Sequence, residues 1–203
     1  MKVANTYNTI AHDFSKTRYS VWRGVRTFLD GLPQDSLVGD IGCGNGKNML
    51  YNQTQLKYEG VDISSEFIAI CRSRGLQVKE GSVLDIPSPT DHYDHTMSIA
   101  VIHHLCTREE RLQAIRELYR VTKQGGKILL YVWAAEQPQD SKRKFTGGDT
   151  MVPFHMKDGT VCERFYHIYR KGELEAEIQS VIGPVTVQSF YDTGNWCVVI
   201  NKN

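Results

Sequence analysis

Short apolar segments with strand character alternate with segments of helical periodicity along most of this sequence. The predicted strands cover residues 37–41, 58–62, 77–80, 93–99 and 127–133. Alternation of this kind is typical of a parallel β-sheet with helices on both faces. We therefore predict an α/β fold in which parallel strands lie side by side and helices cover them.

Capping residues indicate where two of the helices begin. Ser64 can cap a helix over residues 64–74, while Thr107 and Glu110 form a capping box for a helix that ends near residue 121. Further along the chain we predict a helix over residues 171–182 and strands over 185–191 and 196–200. These last two strands are expected to complete the sheet as an antiparallel pair.

Length and composition favour one intracellular domain over residues 1–203. The 203 residues are 40% hydrophobic, enough for a core, and 24 basic residues balance 23 acidic ones to a net charge of +1. There is no apolar leader and no apolar run near the ~20 residues of a membrane span. We expect a cytoplasmic protein, with the nucleus as the alternative. Its 5 cysteines include no C-x-x-C pair, so we predict reduced thiols and no metal site.

Two segments outside the regular alternation are expected to flank the binding side of the sheet. Residues 1–35 are predicted to form a helical cap, because Val21, Val25 and Phe28 recur at helical spacing. Residues 134–160 are polar and carry several glycines and prolines. We predict that they form a long loop on the substrate side.

A glycine-rich loop, DIGCGNG at residues 40–46, follows the first predicted strand. Gly42 and Gly44 let the backbone pass close to a ligand, and the N-terminus of a short helix is expected after them. Asp40 precedes the glycines, where a carboxylate would repel a pyrophosphate and suits a cationic ligand better. Asp62 ends the second strand about 20 residues further on, where a carboxylate can accept both ribose hydroxyls. Although a tight turn without a ligand needs the same glycines, the combination predicts a site for a nucleoside without phosphates.

This loop resembles motif I of class I methyltransferases, and Asp62 resembles their ribose-binding acidic residue. The resemblance implies a Rossmann-like fold with a mostly parallel seven-stranded sheet and an antiparallel C-terminal strand. It implies S-adenosylmethionine as the cofactor and S-adenosylhomocysteine as the product. It also implies that Asp85 contacts the adenine amino group and that Ile86 packs on the ring, although Asp85 alone fits a turn before a proline. The implied cofactor-binding residues are Asp40, Gly42, Gly44, Asp62, Asp85, Ile86 and Ala100.

Further segments form a combination that general methyltransferases lack. They are YNTIA at 7–11, FSKTRY at 14–19, SIAVIHHL at 98–105, YVWA at 131–134, RFYHIYR at 164–170 and NW at 195–196. Together they resemble the tRNA wobble-uridine carboxymethyl methyltransferases, a family that includes the methyltransferase domain of AlkB-type tRNA-modifying proteins. Two departures stand out, since residues 134–160 are short for this family and Leu105 and Cys197 replace expected tryptophans.

The narrower resemblance implies a reaction. The enzyme would methylate the carboxylate of 5-carboxymethyluridine at the wobble position of tRNA and form the 5-methoxycarbonylmethyl ester. A small-molecule carboxyl or ubiquinone-type methyltransferase would share the cofactor motifs, and so would a non-catalytic cofactor-binding scaffold. Both alternatives stay open at this point.

A carboxylate acceptor would make positioning the main catalytic task. A carboxylic acid with a pKa near ~4.3 is already ionised at neutral pH, so no general base is needed. In-line orientation can supply on the order of 7–11 kcal/mol. The candidate catalytic residues are Arg18, His103, His104, Trp133, Arg164 and Tyr166. Arginines would hold a carboxylate or phosphate, aromatic rings would stack on uridine, and a histidine would orient the carboxylate, but each residue also has an ordinary structural interpretation.

Two macromolecular partners follow from the same resemblance. The first is the tRNA anticodon loop, for which Lys142, Arg143, Lys144, Arg170 and Lys171 offer phosphate contacts. The second is a small zinc-binding methyltransferase activator, which in this family pairs with an edge strand to form a heterodimer. We expect the segment 76–80 to be that edge.

Overall fold

The computed structural model describes residues 2–203. The helices are α1 (Lys2–Lys16), α2 (Arg23–Asp30), α3 (Ser65–Ser73), α4 (Arg108–Val121) and α5 (Glu173–Ile182). The strands are β1 (Leu37–Ile41), β2 (Lys57–Asp62), β3 (Val78–Glu80), β4 (His95–Ile99), β5 (Lys127–Trp133), β6 (Gly148–His155), β7 (Val161–Ile168), β8 (Val187–Tyr191) and β9 (Asn195–Asn201). A short 3₁₀ helix covers Ile102–His104.

The main sheet of residues 2–203 has seven strands in the order β3-β2-β1-β4-β5-β9-β8. Strand β9 is antiparallel to both of its neighbours, and the other pairings are parallel. The prediction of a mostly parallel seven-stranded sheet with an antiparallel C-terminal strand is confirmed. Because parallel strands end at the same edge, the loops after β1, β2 and β4 meet there.

Helices cover both faces of this sheet, as predicted. Strand β5 shows the two faces directly, since Ile128, Leu130 and Val132 enter one hydrophobic core while Leu129 and Tyr131 enter the other. A strand that is buried on both faces reads as a continuous apolar run. The run KILLYVW therefore identifies β5 as a central strand.

Both predicted helix starts are confirmed. The Ser64 hydroxyl accepts a hydrogen bond from the Phe67 amide at 3.2 Å. Thr107 accepts from the Glu110 amide at 3.1 Å while the Glu110 carboxylate accepts from the Thr107 amide at 3.2 Å. Each cap satisfies amides that the first helical turn leaves without partners.

Two predictions about local structure are wrong. Residues 134–160 are not a loop throughout, because β6 begins at Gly148 and pairs with β7 in a separate antiparallel ribbon. The sequence around Pro153 hides this strand because β6 is half exposed along its length. The short helix expected after the glycine loop is also absent, since residues 42–56 form successive turns in the described chain.

The β6–β7 ribbon packs against α1 beside the 3₁₀ helix. The Lys157 amide at the ribbon tip donates a 3.0 Å hydrogen bond to Asp13 of α1. At the other end of the ribbon, His167 bridges two carboxylates, with Asp149 at 2.6 Å and Glu173 of α5 at 2.7 Å. The ribbon is therefore tied to α1 at one end and to α5 at the other.

No helix within residues 2–203 has the length and apolar character to cross a bilayer. In the same part of the chain, no cluster of histidine, cysteine and acidic residues has an arrangement that would hold a metal ion.

Candidate functional site

A cavity of about 760 Å³ opens at the edge of the sheet where the parallel strands end. Its walls come from α1, the α1–α2 linker (residues 17–22), the strand-end loops and strand β7. Most of the predicted site residues line it: Arg18, Gly42, Gly44, Asp62, Ala100, His103, His104, Trp133, Arg164 and Tyr166. The fold thus gathers into one cavity residues that are spread over most of the sequence.

The glycine loop enters this cavity in a backbone conformation that only glycine adopts freely. Gly42 has φ of +82°, and a Cβ there would lie 2.2 Å from a methyl group of Val101. The Gly44 amide donates a 2.8 Å hydrogen bond to Asp62, whose other oxygen accepts from the Ser64 amide at 2.9 Å. Each carboxylate oxygen has a second lone pair, so Asp62 can still accept hydroxyl groups from a ligand. Burial raises the pKa of Asp62 to about 6.

Asp40 lies behind the glycine loop and does not line the cavity itself. Its side chain is fully buried, and neither carboxylate oxygen makes a hydrogen bond of ordinary geometry within residues 2–203, although the nearby Asn48 side chain favours the ionised form. Burial raises the pKa of this carboxyl group to about 7. A buried carboxylate without a partner is costly unless a positive group compensates it. The site is therefore suited to a ligand that brings a cation near the loop.

The structure does not bring Asp85 or Ile86 to the cavity. Asp85 is exposed, and Ile86 is buried in the hydrophobic core with its amide bonded to Glu117 at 2.8 Å. Ser82, Val83 and Leu84 line the cavity in their place. After β3 the cavity wall is thus formed by the three residues before Asp85, and the contact of Asp85 with an adenine amino group stays a prediction.

His103 presents a single free N–H group. Its ring is fully buried, and Nδ1 accepts a 3.0 Å hydrogen bond from the backbone amide of Trp133. Burial lowers the pKa of His103 well below its ordinary value, so the ring is neutral and its one proton lies on Nε2. That Nε2 has no partner within residues 2–203. His103 is therefore an uncharged donor whose Nε2–H group has no acceptor in the described chain.

His104 is arranged in the opposite way. Nδ1 lies 2.9 Å from the Phe165 carbonyl, so Nδ1 carries the proton, and Nε2 accepts the Tyr7 hydroxyl at 2.6 Å. Burial lowers the pKa of His104 to about 4, which keeps the ring neutral. His104 thus connects α1 to β7 and has no N–H left for a ligand. Sequence reasoning did not identify Tyr7 as a cavity residue.

Arg164 is a buried cation without a carboxylate partner. The residue is 5% exposed, and its Nε has no hydrogen-bond partner in the described chain. Its guanidinium lies 5.3 Å from the Phe154 ring and 5.2 Å from the Tyr166 ring. Aromatic rings supply only a small part of the stabilisation that a desolvated guanidinium needs. Arg164 and His103 together make this part of the cavity a site for an anion.

Trp133 and Tyr166 form the aromatic wall of this anion site. Their rings stack at 4.2 Å with an interplanar angle of 19°, and the Arg143 guanidinium lies 4.2 Å from the centre of the Trp133 ring. Trp133 is only 8% exposed. Tyr166 and Arg143 therefore cover the Trp133 ring, and a nucleobase could stack on it only if Arg143 moved. Arg18, also half-buried at the cavity wall, lies 4.9 Å from the Phe14 ring.

Comparisons with known proteins agree with this fold. A family described as a methyltransferase domain matches residues 39–130. A solved Haloferax volcanii methyltransferase in complex with the Trm112 methyltransferase activator has a TM-score of 0.67 at 15% identity, with 97% of each chain covered. Fold and matched domain define a class I S-adenosylmethionine-dependent methyltransferase. A Schizosaccharomyces pombe tRNA (carboxymethyluridine(34)-5-O)-methyltransferase is 35% identical over 99% of this chain and 96% of its own. The chain belongs to this family of tRNA carboxymethyluridine methyltransferases.

The vertebrate relatives are longer proteins. The Xenopus tropicalis tRNA (carboxymethyluridine(34)-5-O)-methyltransferase is 32% identical over 98% of this chain, which spans 40% of that relative's length. The chain therefore spans less than half the length of this relative.

Proposed function

We propose that this chain transfers a methyl group to the carboxylate of a 5-carboxymethyluridine at the wobble position of tRNA. The observation that carries the proposal is the pair of unpartnered buried donors, the Nε2 of His103 and the Nε of Arg164. Both residues line the cavity that the glycine loop and Asp62 also line. The names of the relatives point to the same substrate.

The cofactor half of the cavity fits S-adenosylmethionine. Asp62 would hold the ribose, Ser82 and Leu84 would lie beside the base, and the unpaired Asp40 would compensate the positive charge. When bound, S-adenosylmethionine supplies an electrophilic methyl group on a sulfonium. The chain's own residues then have to bring an anionic oxygen into line with that methyl group.

The anion half of the cavity is suited to orienting a carboxylate without protonating it. The acceptor acid is ionised at neutral pH, since its ordinary pKa is near ~4.3. Arg164 supplies one positive charge, while His103 donates a hydrogen bond as a neutral ring and adds no second charge. The carboxylate is thus held by two donors but keeps its nucleophilic electron pair. The stacked rings of Trp133 and Tyr166 would form an apolar wall beside the bound carboxylate.

The most direct test is transfer of labelled methyl from S-adenosylmethionine to bulk tRNA that lacks the modification, followed by nucleoside analysis. We expect base-labile label in the methyl ester of 5-carboxymethyluridine. Absence of transfer to tRNA with intact cofactor binding would favour a small-molecule acceptor or a non-catalytic scaffold instead.

We further propose that a small zinc-binding activator pairs with β3. Strand β3 is an edge of the seven-stranded sheet, and an open edge offers unpaired backbone groups to another chain. The methyltransferase of the Haloferax volcanii complex has the same fold as this chain and is bound to a methyltransferase activator. A cytoplasmic location, where tRNA is available to the enzyme, is part of the same proposal.

A further inference from the structure

The α1–α2 linker carries the most exposed large side chain among the apolar and aromatic residues of the described chain. Tyr19 is 83% exposed, whereas the next such residue, Met151, is 54% exposed. The linker residues on either side of Tyr19, Arg18 and Ser20, line the cavity. The Tyr19 ring therefore stands in solvent at the mouth of the cavity rather than inside it.

The backbone beneath Tyr19 is held by the cofactor loop. The Asn45 amide donates a 2.8 Å hydrogen bond to the carbonyl of Arg18. The Lys47 ammonium donates a 2.9 Å hydrogen bond to the carbonyl of Ser20. These two contacts hold the peptide group that precedes Tyr19 and the one that follows Ser20. An exposed aromatic on a fixed backbone loses little conformational entropy when it stacks on a flat ligand.

The surroundings of Tyr19 favour a nucleic acid over a protein as the ligand. Arg18, Arg23 and Lys47 all line the mouth of the cavity beside the linker, and Lys16 is exposed one turn earlier. Positive groups along a groove with an exposed aromatic ring are the usual means of binding single-stranded nucleic acid, since phosphates follow the charge and bases stack on the ring.

We propose that Tyr19 is a stacking platform for the nucleobase next to the nucleotide whose carboxylate enters the cavity. This inference rests on the proposed function, because it takes the substrate to be an RNA loop with unpaired bases. The Tyr19 ring holds the neighbouring base outside while the target nucleotide reaches Arg164 and His103 inside. Tyr19 is accordingly a substrate-binding residue and takes no part in the methyl transfer itself.

The test uses the full chain and a synthetic anticodon stem-loop with one 5-carboxymethyluridine flanked by 2-aminopurine. Tyr19→Ala should raise KM for the stem-loop about tenfold, the scale of one lost base stack, and change kcat less than twofold. Tyr19→Phe and Tyr19→Trp should keep both KM and the quenching of 2-aminopurine fluorescence. Tyr191→Ala is the matched control, since Tyr191 is also exposed, at 42%, but lies on the edge strand β8.

The outcomes separate this inference from the proposed function. Methyl transfer with an unchanged KM and unchanged quenching in Tyr19→Ala overturns the stacking platform and leaves the proposed function standing. Quenching by the wild type that Tyr19→Ala abolishes, without methyl transfer, supports the platform and overturns the function. Neither binding nor transfer by the wild type overturns both. Loss of activator binding in Tyr19→Ala, with stem-loop affinity unchanged, would show that the ring binds a protein instead.

Discussion

The backbone amide of Trp133 donates a 3.0 Å hydrogen bond to Nδ1 of His103. This bond, from the end of β5 to the 3₁₀ helix after β4, places the histidine proton on Nε2, which has no hydrogen-bond partner in the described chain. The neighbouring His104 is held in the other tautomer by the Phe165 carbonyl. Two adjacent histidines that look equivalent in the sequence therefore have different chemical roles.

Removal of the His103 donor should slow methyl transfer without unfolding the chain. We expect His103→Ala to lower kcat/KM on the order of 100-fold, because misplacement of the acceptor oxygen by about 1 Å has an effect of that size. His103→Gln should recover part of this loss, since its amide N–H can reach the same place. His95 offers the matched control, because its Nδ1 accepts a 3.0 Å bond from the Lys127 amide outside the cavity. An equal loss of activity in His95→Gln would contradict the role of His103.

Two buried arginines should respond oppositely to replacement by methionine. Arg111 is 4% exposed and pairs with Glu177 at 3.1 Å, whereas Arg164 is 5% exposed without such a partner. Arg111→Met leaves the buried Glu177 carboxylate without a cation, with the Tyr169 hydroxyl at 2.9 Å still bonded to it, and should lower the free energy of unfolding by about 3–5 kcal/mol. Arg164→Met removes an uncompensated charge and should leave the stability unchanged or raise it, while methyl transfer falls at least about 100-fold. Urea unfolding and the transfer assay measure the two quantities. A strong loss of stability in Arg164→Met would show that Arg164 serves the fold.

Asp40 should destabilise the ligand-free chain more as the pH rises. Its carboxyl group keeps a proton up to about pH 7 in the folded chain but loses it near pH 3.8 when unfolded. Protonated Asp40 therefore stabilises the folded chain fully below pH 3.8, and this stabilisation is lost as the pH rises through about 7. We expect Asp40→Asn to gain unfolding free energy relative to the wild type between about pH 5.5 and pH 8, reaching on the order of 2 kcal/mol, and to bind S-adenosylmethionine more weakly. If the difference in unfolding free energy between Asp40→Asn and the wild type did not change with pH, burial would not raise the pKa of Asp40.

The exposed lysines beside Arg143 should contribute to tRNA affinity through phosphate contacts. Replacement of Lys142 and Lys144 by glutamine should weaken binding and reduce the slope of log affinity against log salt by about 2, one for each contact. Filter binding over a salt series measures this slope. Lys57→Gln, at the exposed start of β2, serves as the control. An unchanged slope in the double variant would place the tRNA elsewhere.

The activator should be lost when the free edge of β3 is blocked. The Gln77 carbonyl and the Gly81 amide bond to β2, at 2.9 Å each, so the amide of Glu80 faces the open side. Glu80→Pro removes that amide and should prevent pairing with another strand, while Glu80→Ala keeps it and should bind normally. Co-purification from cells that express both chains reads out the result. Binding by Glu80→Pro would exclude β3 as the interface.

Most of the fold could be predicted from the sequence because local signals and packing agree in its central part. The apolar run KILLYVW indicates a buried strand, and the capping box at Thr107 indicates the start of a helix. The β6–β7 ribbon could not be predicted in full, because Gly148 and Pro153 resemble loop residues and β6 has neither a buried face nor an apolar run. Its strand character comes from pairing with β7, which is a tertiary property.

The site could be predicted less completely than the fold. Glycine spacing identified Gly42 and Gly44 because backbone conformation restricts residue type there. The Asp85 assignment followed from the resemblance to class I methyltransferases, whereas the chain lines the cavity with Ser82 and its neighbours. The contributions of Tyr7, His103 and His104 depend on hydrogen bonds between distant segments, and no local pattern reports these.

The central claim, that a neutral histidine and one arginine hold a carboxylate for methylation, is tested most directly with two stem-loops that differ in one group. One carries 5-carboxymethyluridine and the other carries its carboxamide. His103 and Arg164 line the cavity and have N–H groups without acceptors in the described chain, so we expect rapid transfer of base-labile methyl to the acid and none to the amide. Equal transfer to both, or label that survives base because it lies on the ring or ribose, would contradict the account.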